Sequence, residues 1–155
     1  MPRKVQLKDQ KKQRRYYSGK KKRHTLKTQI IVDKKTTQII CTNYRNGKCH
    51  DFRLFKESKV AVHPEIAIGV DTGYQGLQKI HARTWIPKKR SKNLPLSRED
   101  KEKNTDLSRK RVLVENVIGM LKRFKIISDR YRNRRKRFGL RFNLLAGLHN
   151  FELEN

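Results

Sequence analysis

The chain has 155 residues, enough for one domain with a buried core, and its 41 lysines and arginines against 14 acidic residues give a formal net charge of +27. Charge of this size repels itself in a folded domain and therefore indicates a polyanionic partner, DNA or RNA. No apolar run approaches the ~18 residues of a membrane span and the N-terminus is charged, so neither a membrane span nor secretion is expected, and a cytoplasmic protein is.

The first predicted element is a basic N-terminal arm over residues 1–25. It contains the pair Tyr16-Tyr17 and ends near four consecutive cations, Lys20, Lys21, Lys22 and Arg23. A solvated arm explains this composition as well as an arm that contacts phosphates and packs or stacks its tyrosines. Both interpretations stay open on the residues alone.

Two short segments rich in β-branched residues follow, at 26–32 and 37–42, and a polar turn at 33–36 separates them. This pattern predicts an antiparallel hairpin. The pair Asn46-Gly47 predicts the next turn.

A helical pattern then covers residues 50–58, with Asp51 in a suitable position for the N-cap. The apolar run at 66–70 stops at Asp71, which is typical of a buried strand that ends in a polar turn. Open α/β sheets place ligands and catalytic groups at the carboxyl ends of their strands, so Asp71 is a candidate site residue. After it, the sequence predicts a short helix over 75–80 and a long basic connection over 86–106.

The clearest helix is predicted over residues 107–124. Four aliphatic side chains recur there at helical spacing and form a core stripe: Val114, Val117, Ile118 and Leu121. Arg111, Glu115 and Lys122 share one side of this helix. An acid between two cations beside the core suits a metal- or phosphate-facing edge. Without further context, a surface ladder of ion pairs worth ~0.2–0.5 kcal/mol each is the better explanation.

A second basic stretch covers residues 125–137 and includes Arg132, Arg134 and Arg135. A final amphipathic helix is predicted over 138–151, with four leucines facing inward: Leu140, Leu144, Leu145 and Leu148. The order of the elements predicts a mixed α/β domain. It also matches an RNase H-like domain that lacks its first strand.

Five segments in a fixed order carry a family resemblance: YYSGKKKRHTLK (16–27), GKCHDFRLFKES (47–58), VDTGYQG (70–76), RVLVENVIGMLKRFKI (111–126) and RYRNRRKRFGLRFNLLAGLHNFEL (130–153). Together they closely resemble the catalytic region of bacterial insertion-sequence transposases of the DDE type, which are grouped with Harbinger-derived nucleases. The spacing of Arg111, Glu115 and Lys122 is similar to that family's signature around its catalytic glutamate, although Ser108 replaces the usual tyrosine.

The resemblance implies an α/β fold with an RNase H-like mixed sheet flanked by helices and truncated at the N-terminal strand. This catalytic domain would cover residues 26–155, after the arm of residues 1–25. Asp71 and Glu115 resemble the second and third acids of the DDE triad, both catalytic and metal-binding. Asp51 competes for the second position. Topology favours Asp71, because the second acid follows the fourth strand of an RNase H-like sheet, whereas Asp51 begins a helix.

The resemblance also implies Mg²⁺ or Mn²⁺ as the cofactor and transposon ends and target DNA as partners, in a bacterial, nucleoid-associated protein that forms an oligomer in its active complex. Nine cations are the candidate phosphate ligands: Lys20, Lys21, Lys22, Arg23, Arg111, Lys122, Arg132, Arg134 and Arg135. The first acid of the triad is not found, since the chain begins where the family has an Arg-Pro pair downstream of it.

We therefore expect a frameshift product or a truncated copy that is inactive alone and pairs with an upstream-frame transposase product. The alternative is a non-catalytic DNA-binding remnant of a transposase.

Overall fold

The computed structural model describes residues 3–6, 16–91 and 95–155. Over these ranges the fold is mixed α/β, as the order of the sequence patterns predicts. The strands are β1 (Arg3–Gln6), β2 (Tyr17–Ser18), β3 (Arg23–Val32), β4 (Ile39–Asn46), β5 (Ile68–Gly69) and β6 (Thr84–Trp85). The helices are α1 (Asp51–Ser58), α2 (Arg98–Lys122), α3 (Lys125–Ser128) and α4 (Phe138–Glu154). Part of the expected basic arm, residues 7–15, and Lys92 of the expected basic connection lie outside the described residues.

Strand β3 is the centre of the larger sheet and pairs antiparallel with β1, β2 and β4. The β3–β4 hairpin was predicted from its β-branched residues, and its turn is stabilised by Asp33, whose carboxylate accepts hydrogen bonds from the amides of Lys35 and Thr36 at 2.7 and 2.8 Å. These two bonds lower the pKa of Asp33. The predicted turn at Asn46-Gly47 also forms, and it leads into α1.

Helix α1 covers the predicted span, but the expected cap by Asp51 is wrong. His50 occupies the N-cap position and makes no side-chain cap, while Asp51 is the first helical residue. Its carboxylate is held by the ammonium of Lys27 on β3 instead, at 2.5 Å. A charged partner attracts a carboxylate more strongly than the neutral amides at the helix end.

A second, two-stranded sheet forms where β5 and β6 run parallel, with Ile68 opposite Thr84 and Gly69 opposite Trp85. The predicted strand at 66–70 is thus shorter than expected, and β6 was not predicted at all. Both strands have only two residues, too few for a periodic pattern to show. A 3₁₀ turn at Leu77–Lys79 replaces the predicted short helix over 75–80.

Helix α2 begins nine residues before the predicted start at 107, so much of the expected connection over 86–106 is helical. The N-terminus is fixed by a capping box, in which Ser97 accepts from the amide of Asp100 and Asp100 accepts from the amide of Ser97. The Lys88 ammonium also pairs with Asp100 at 2.6 Å. Ser97 and Asp100 fit the sequence pattern of a capping box. This helix start was not predicted, because the first turns of α2 are charged and show no apolar periodicity.

The main core lies between the larger sheet and helices α2 and α4. Three residues of the predicted α2 stripe are buried in it, Val117, Ile118 and Leu121, and Val114 packs against it half-buried. Helix α4 contributes Phe138, Phe142, Leu145 and Ala146. A smaller cluster of Phe55, Tyr74 and Leu77 lies beneath the turn that follows β5.

The predicted inward face of α4 is largely wrong. Leu145 is buried, but Leu140 and Leu144 are 73% and 71% exposed and Leu148 is also exposed. The helix is apolar on nearly all sides, so its leucine spacing could not identify the buried side. The two buried phenylalanines, Phe138 and Phe142, define that side instead.

Within the residues that the structure describes, no helix is both long enough and apolar enough to cross a membrane.

Candidate functional site

Asp71 lies at the carboxyl end of the β5–β6 pair, one residue beyond Val70. Its backbone is extended, and it caps the 3₁₀ turn Thr72–Tyr74 by accepting a hydrogen bond from the Thr72 amide at 2.7 Å. One oxygen of the carboxylate is therefore fixed by the turn. The side chain is 34% exposed, so the group is both oriented and accessible.

Arg111 on α2 joins Asp71 to Glu115. One terminal nitrogen of its guanidinium lies 3.5 Å from Asp71 Oδ1, and the other lies 3.6 Å from Glu115 Oε1. The two acids are far apart in the chain but meet at the opposite nitrogens of one planar group. Glu115 is 46% exposed and one turn further along the helix than Arg111. The structure thus places two carboxylates and one guanidinium at the edge between β5 and α2.

Lys122 is exposed on the same side of α2 as Glu115, about 10 Å further along the helix axis. It is the last residue of the helix. It extends the line of charged groups that begins at Arg111.

Asp51 lies behind the turn that carries Asp71. Its Oδ1 pairs with the Lys27 ammonium, which also donates to the carbonyl of Cys49. The side chain of Lys27 is only 9% exposed, so this pair is largely withdrawn from water. Asp51 Oδ2 faces the backbone of Gly73. The chain of contacts from Lys27 through Asp51 supports the Asp71 turn from beneath.

Tyr74 connects the same turn to β3. Its buried hydroxyl donates to Gln29 Oε1 at 3.1 Å, and its ring packs edge-on against Phe55. Burial raises the pKa of Tyr74, and the negative charges of Asp51 and Asp71 raise it further. Tyr74 is therefore a neutral donor, and both aspartates lie close enough to act on it electrostatically.

Lys27, Gln29 and Tyr74 support the site but were not predicted from the sequence. Lys27 and Gln29 lie in a strand that also contributes Leu26 and Ile30 to the core, and both are buried. Buried polar groups require partners, so polar residues inside a predicted core strand were the signal that could have identified them.

A substitution at Gly73 tests whether Asp51 supports the Asp71 turn. A Cβ at position 73 would overlap Asp51 Oδ2 and lie 3.0 Å from Asp51 Cγ, whereas a Cβ at Gly69 meets nothing within 4 Å. We expect Gly73→Ala to lower the free energy of unfolding by about 1–3 kcal/mol, because Asp51 or the turn must shift. Urea denaturation measures this, with Gly69→Ala as the matched control. Equal stability of the two variants would show that Asp51 does not confine the turn.

The basic segments lie on exposed surfaces. Lys20, Lys21 and Lys22 form the turn between β2 and β3, and Arg23 begins β3; all four are exposed, as are Arg132 and Arg134. Arg135 is half-buried, and its guanidinium lies 4.5 Å from the ring centroid of Tyr16. This cation–π contact brings residues 132–137 to the open end of the β2–β3 hairpin, because Tyr16 immediately precedes β2. Two basic segments more than 100 positions apart in the chain are thereby joined.

Trp85 is a further residue that the sequence analysis missed. It ends β6, its carbonyl accepts from the Val70 amide at 3.0 Å, and its exposed ring carries the Lys110 ammonium 4.7 Å from the centroid. It therefore lies on the same strand end as Asp71. The two-residue strand that positions it gave no sequence signal.

A divalent cation fits this site only in part. Asp71 and Glu115 offer the hard carboxylate oxygens that Mg²⁺ and Mn²⁺ prefer. Across residues 3–6, 16–91 and 95–155, however, no three side chains of the His, Cys, Asp and Glu types come together as a metal-binding group. Cys41 and Cys49 are free, and burial raises the pKa of both thiols, which disfavours the thiolate form that binds metals.

Comparison with known proteins gives one family and one curated relative. The family model described as "DDE superfamily endonuclease" matches residues 3–150. A "Probable transposase for insertion sequence element IS702" from Microchaete diplosiphon is 49% identical over 143 residues, which cover 92% of this chain and 52% of the relative. The chain thus spans about half the length of that relative. No solved structure matches the chain significantly.

Proposed function

Because this chain belongs to the DDE superfamily endonucleases, as the match over residues 3–150 shows, we propose that it forms part of an insertion-sequence transposase that cuts and joins DNA by metal-dependent phosphoryl transfer. The observation that carries the proposal is the meeting of Asp71 and Glu115 at the guanidinium of Arg111. Carboxylates brought together from a strand end and a helix are suited to hold one cation.

In this proposal the fold is an RNase H-like sheet. Support comes from the order of the antiparallel hairpin β3–β4, helix α1 and strand β5 along the chain, with β5 paired to β6 in a separate two-stranded sheet. Residues 26–155 would form the catalytic domain and residues 1–25 a basic arm. The described residues supply two of the three expected acids, so the third carboxylate would come from another part of the active protein, such as an upstream-frame product.

Asp71 and Glu115 would hold Mg²⁺ or Mn²⁺. Bound ions would supply activation of the attacking hydroxyl and stabilisation of the leaving oxygen in an in-line displacement, one ion for each. The residues of this chain supply orientation and charge. The Thr72 amide fixes one oxygen of Asp71, and Arg111 and Lys122 face the edge where a DNA phosphate would lie.

DNA is the proposed substrate, and the basic surface is its proposed binding region. Arg135, in the basic segment 132–137, contacts Tyr16, which lies four residues before the exposed cations at 20–23. Contacts between such cations and phosphates position a duplex without selecting its sequence. We therefore assign this surface to backbone binding of transposon and target DNA.

A second candidate function is a DNA-binding remnant without catalytic activity. It is favoured by the absence, among the residues described, of a group of three metal-ligating side chains. Both candidates bind DNA, so binding alone does not separate them. Metal binding at Asp71 and Glu115 does.

The test is a titration of the 155-residue chain with Mn²⁺, followed by electron paramagnetic resonance of the free ion. We expect Asp71→Asn and Glu115→Gln each to weaken binding by at least about tenfold, the lower end of the effect of disturbing a metal site. Glu102→Gln is the matched control, because Glu102 also pairs with an arginine one turn earlier on α2, at 3.2 Å. Indistinguishable affinities for the original chain and all three variants would reject the metal site and favour the remnant.

A further inference from the structure

Helix α4 carries a continuous apolar stripe on the side that faces away from the core. The stripe consists of Leu140, Leu144, Leu148 and Phe151, all exposed, with Gly147 among them. A Cβ added at Gly147 would meet nothing within 4 Å, so the space above it is open. Large apolar side chains aligned in this way on a surface indicate a site of protein contact.

The opposite side of α4 already has its partners. Phe138, Phe142, Leu145 and Ala146 lie in the main core, and Asn150 exchanges hydrogen bonds with the backbone of Ile39 on β4. The stripe is therefore separate from the side of α4 that packs against the rest of the domain. An apolar stripe gains nothing from phosphates, so the DNA proposed for the basic surface is not its natural occupant.

The charge along the stripe identifies a suitable partner. Lys136 and Arg137 lie just before the stripe, in the 3₁₀ turn that leads into α4, and Glu154 lies at its C-terminal end, where its carboxylate accepts a hydrogen bond from Gln38 at 3.2 Å; all three are exposed. A second copy of the helix laid antiparallel against the first would place basic ends beside acidic ends. A parallel arrangement would bring like charges together.

The antiparallel arrangement also places a small residue opposite a large one near its centre. With the two-fold axis between Leu145 and Ala146, Leu144 faces Gly147 of the second copy, and Leu140 faces Phe151 of the second copy. In the same register, Arg137 faces Glu154 of the second copy. Each Leu144 thus has a glycine opposite, which permits close approach of the two helices near the axis.

We propose that α4 is a self-association surface, on which two copies of this chain pair through antiparallel α4 helices. The pairing is isologous, because the same stripe serves both copies. A single helix pair is a small interface, in the range below ~1,200 Å² where weak complexes are found, so we expect a micromolar dissociation constant. It holds whether or not the proposed nuclease function is correct.

The first test is sedimentation equilibrium of the chain without DNA, in about 0.5 M salt to screen the large net charge. We expect a reversible monomer–dimer equilibrium, and we expect Leu144→Glu to weaken the dimer at least about tenfold. Leu153→Glu is the matched control. Leu153 is exposed on the same helix but lies opposite Leu144 around the axis, so its substitution should leave the dimer unchanged.

The second test establishes direction by disulfide formation, with Cys41 and Cys49 replaced by serine. Leu140→Cys and Phe151→Cys variants, when mixed, should cross-link to each other, whereas Leu140→Cys alone should not, because its two copies lie about 16 Å apart along the antiparallel axis. A monomeric chain at every concentration, equal effects of the substitutions at 144 and 153, or efficient cross-linking of Leu140→Cys alone would each overturn the proposal. The first result would assign the stripe to another protein or to another part of a longer chain.

Discussion

Replacing Glu115 with glutamine should reduce Mg²⁺-dependent DNA cleavage by on the order of 10²–10³-fold, the usual cost of removing one preorganised electrostatic group at a transition state. Glutamine keeps the size of the side chain and removes its charge. The proposed cation would then retain only Asp71 from this chain. Because the side chain of Glu115 is about half exposed, the substitution should not affect folding.

The measurement is nicking of a transposon-end duplex by a protein that joins this chain to the part of its Microchaete diplosiphon relative that the match does not cover. Glu102→Gln in the same protein controls for the loss of an acid and its arginine pair from α2. Thermal unfolding of each variant separates a loss of chemistry from a loss of fold. Cleavage by Glu115→Gln at the rate of the control would remove Glu115 from the catalytic site, even if the same substitution weakened Mn²⁺ binding.

Replacing Lys27 with methionine should lower the free energy of unfolding by about 3 kcal/mol. The methionine fills the buried volume but leaves the Asp51 carboxylate, which is mostly withdrawn from water, without its cation. Breaking a buried ion pair from one side costs roughly 3–5 kcal/mol, and the residual exposure of Asp51 places the expected value at the lower end of that range. The carbonyl of Cys49 loses its donor as well.

Urea denaturation again gives the measurement, and Lys88→Met is the matched control. Lys88 pairs with Asp100 at 2.6 Å, but its side chain is largely in water. Exposed pairs of this kind contribute only ~0–1 kcal/mol. If both variants lost the same stability, the Lys27–Asp51 pair would be no more than a surface contact, and Asp51 would not be the support of the Asp71 turn.

The sequence predicted those parts of the fold whose pattern repeats over several residues. The two strands of the β3–β4 hairpin are rich in β-branched residues and a polar turn separates them. Three residues of the α2 stripe are buried as expected. Two-residue strands such as β6 have no period to detect. Helix α4 shows the opposite difficulty, because apolar residues on all sides leave the spacing of its leucines without information about direction.

For the site, the sequence could nominate individual acids but not their neighbours. Asp71 was selected by its place after an apolar run, and Glu115 by its place between two cations. That the guanidinium of Arg111 reaches both acids depends on how α2 packs beside β5, which no local pattern encodes. The same is true of Lys27, since its partner lies 24 positions away in the chain.

The position of Arg111 also affects how the acidic pair behaves before any ion arrives. Two carboxylates brought together repel each other, and a tethered positive group between them keeps that repulsion from opening the edge of the domain. A divalent cation that binds the two acids must compete with the guanidinium of Arg111, which is part of the protein and is therefore present at the site at every concentration. Arg111 should therefore raise the divalent-ion concentration at which the acidic pair is half occupied.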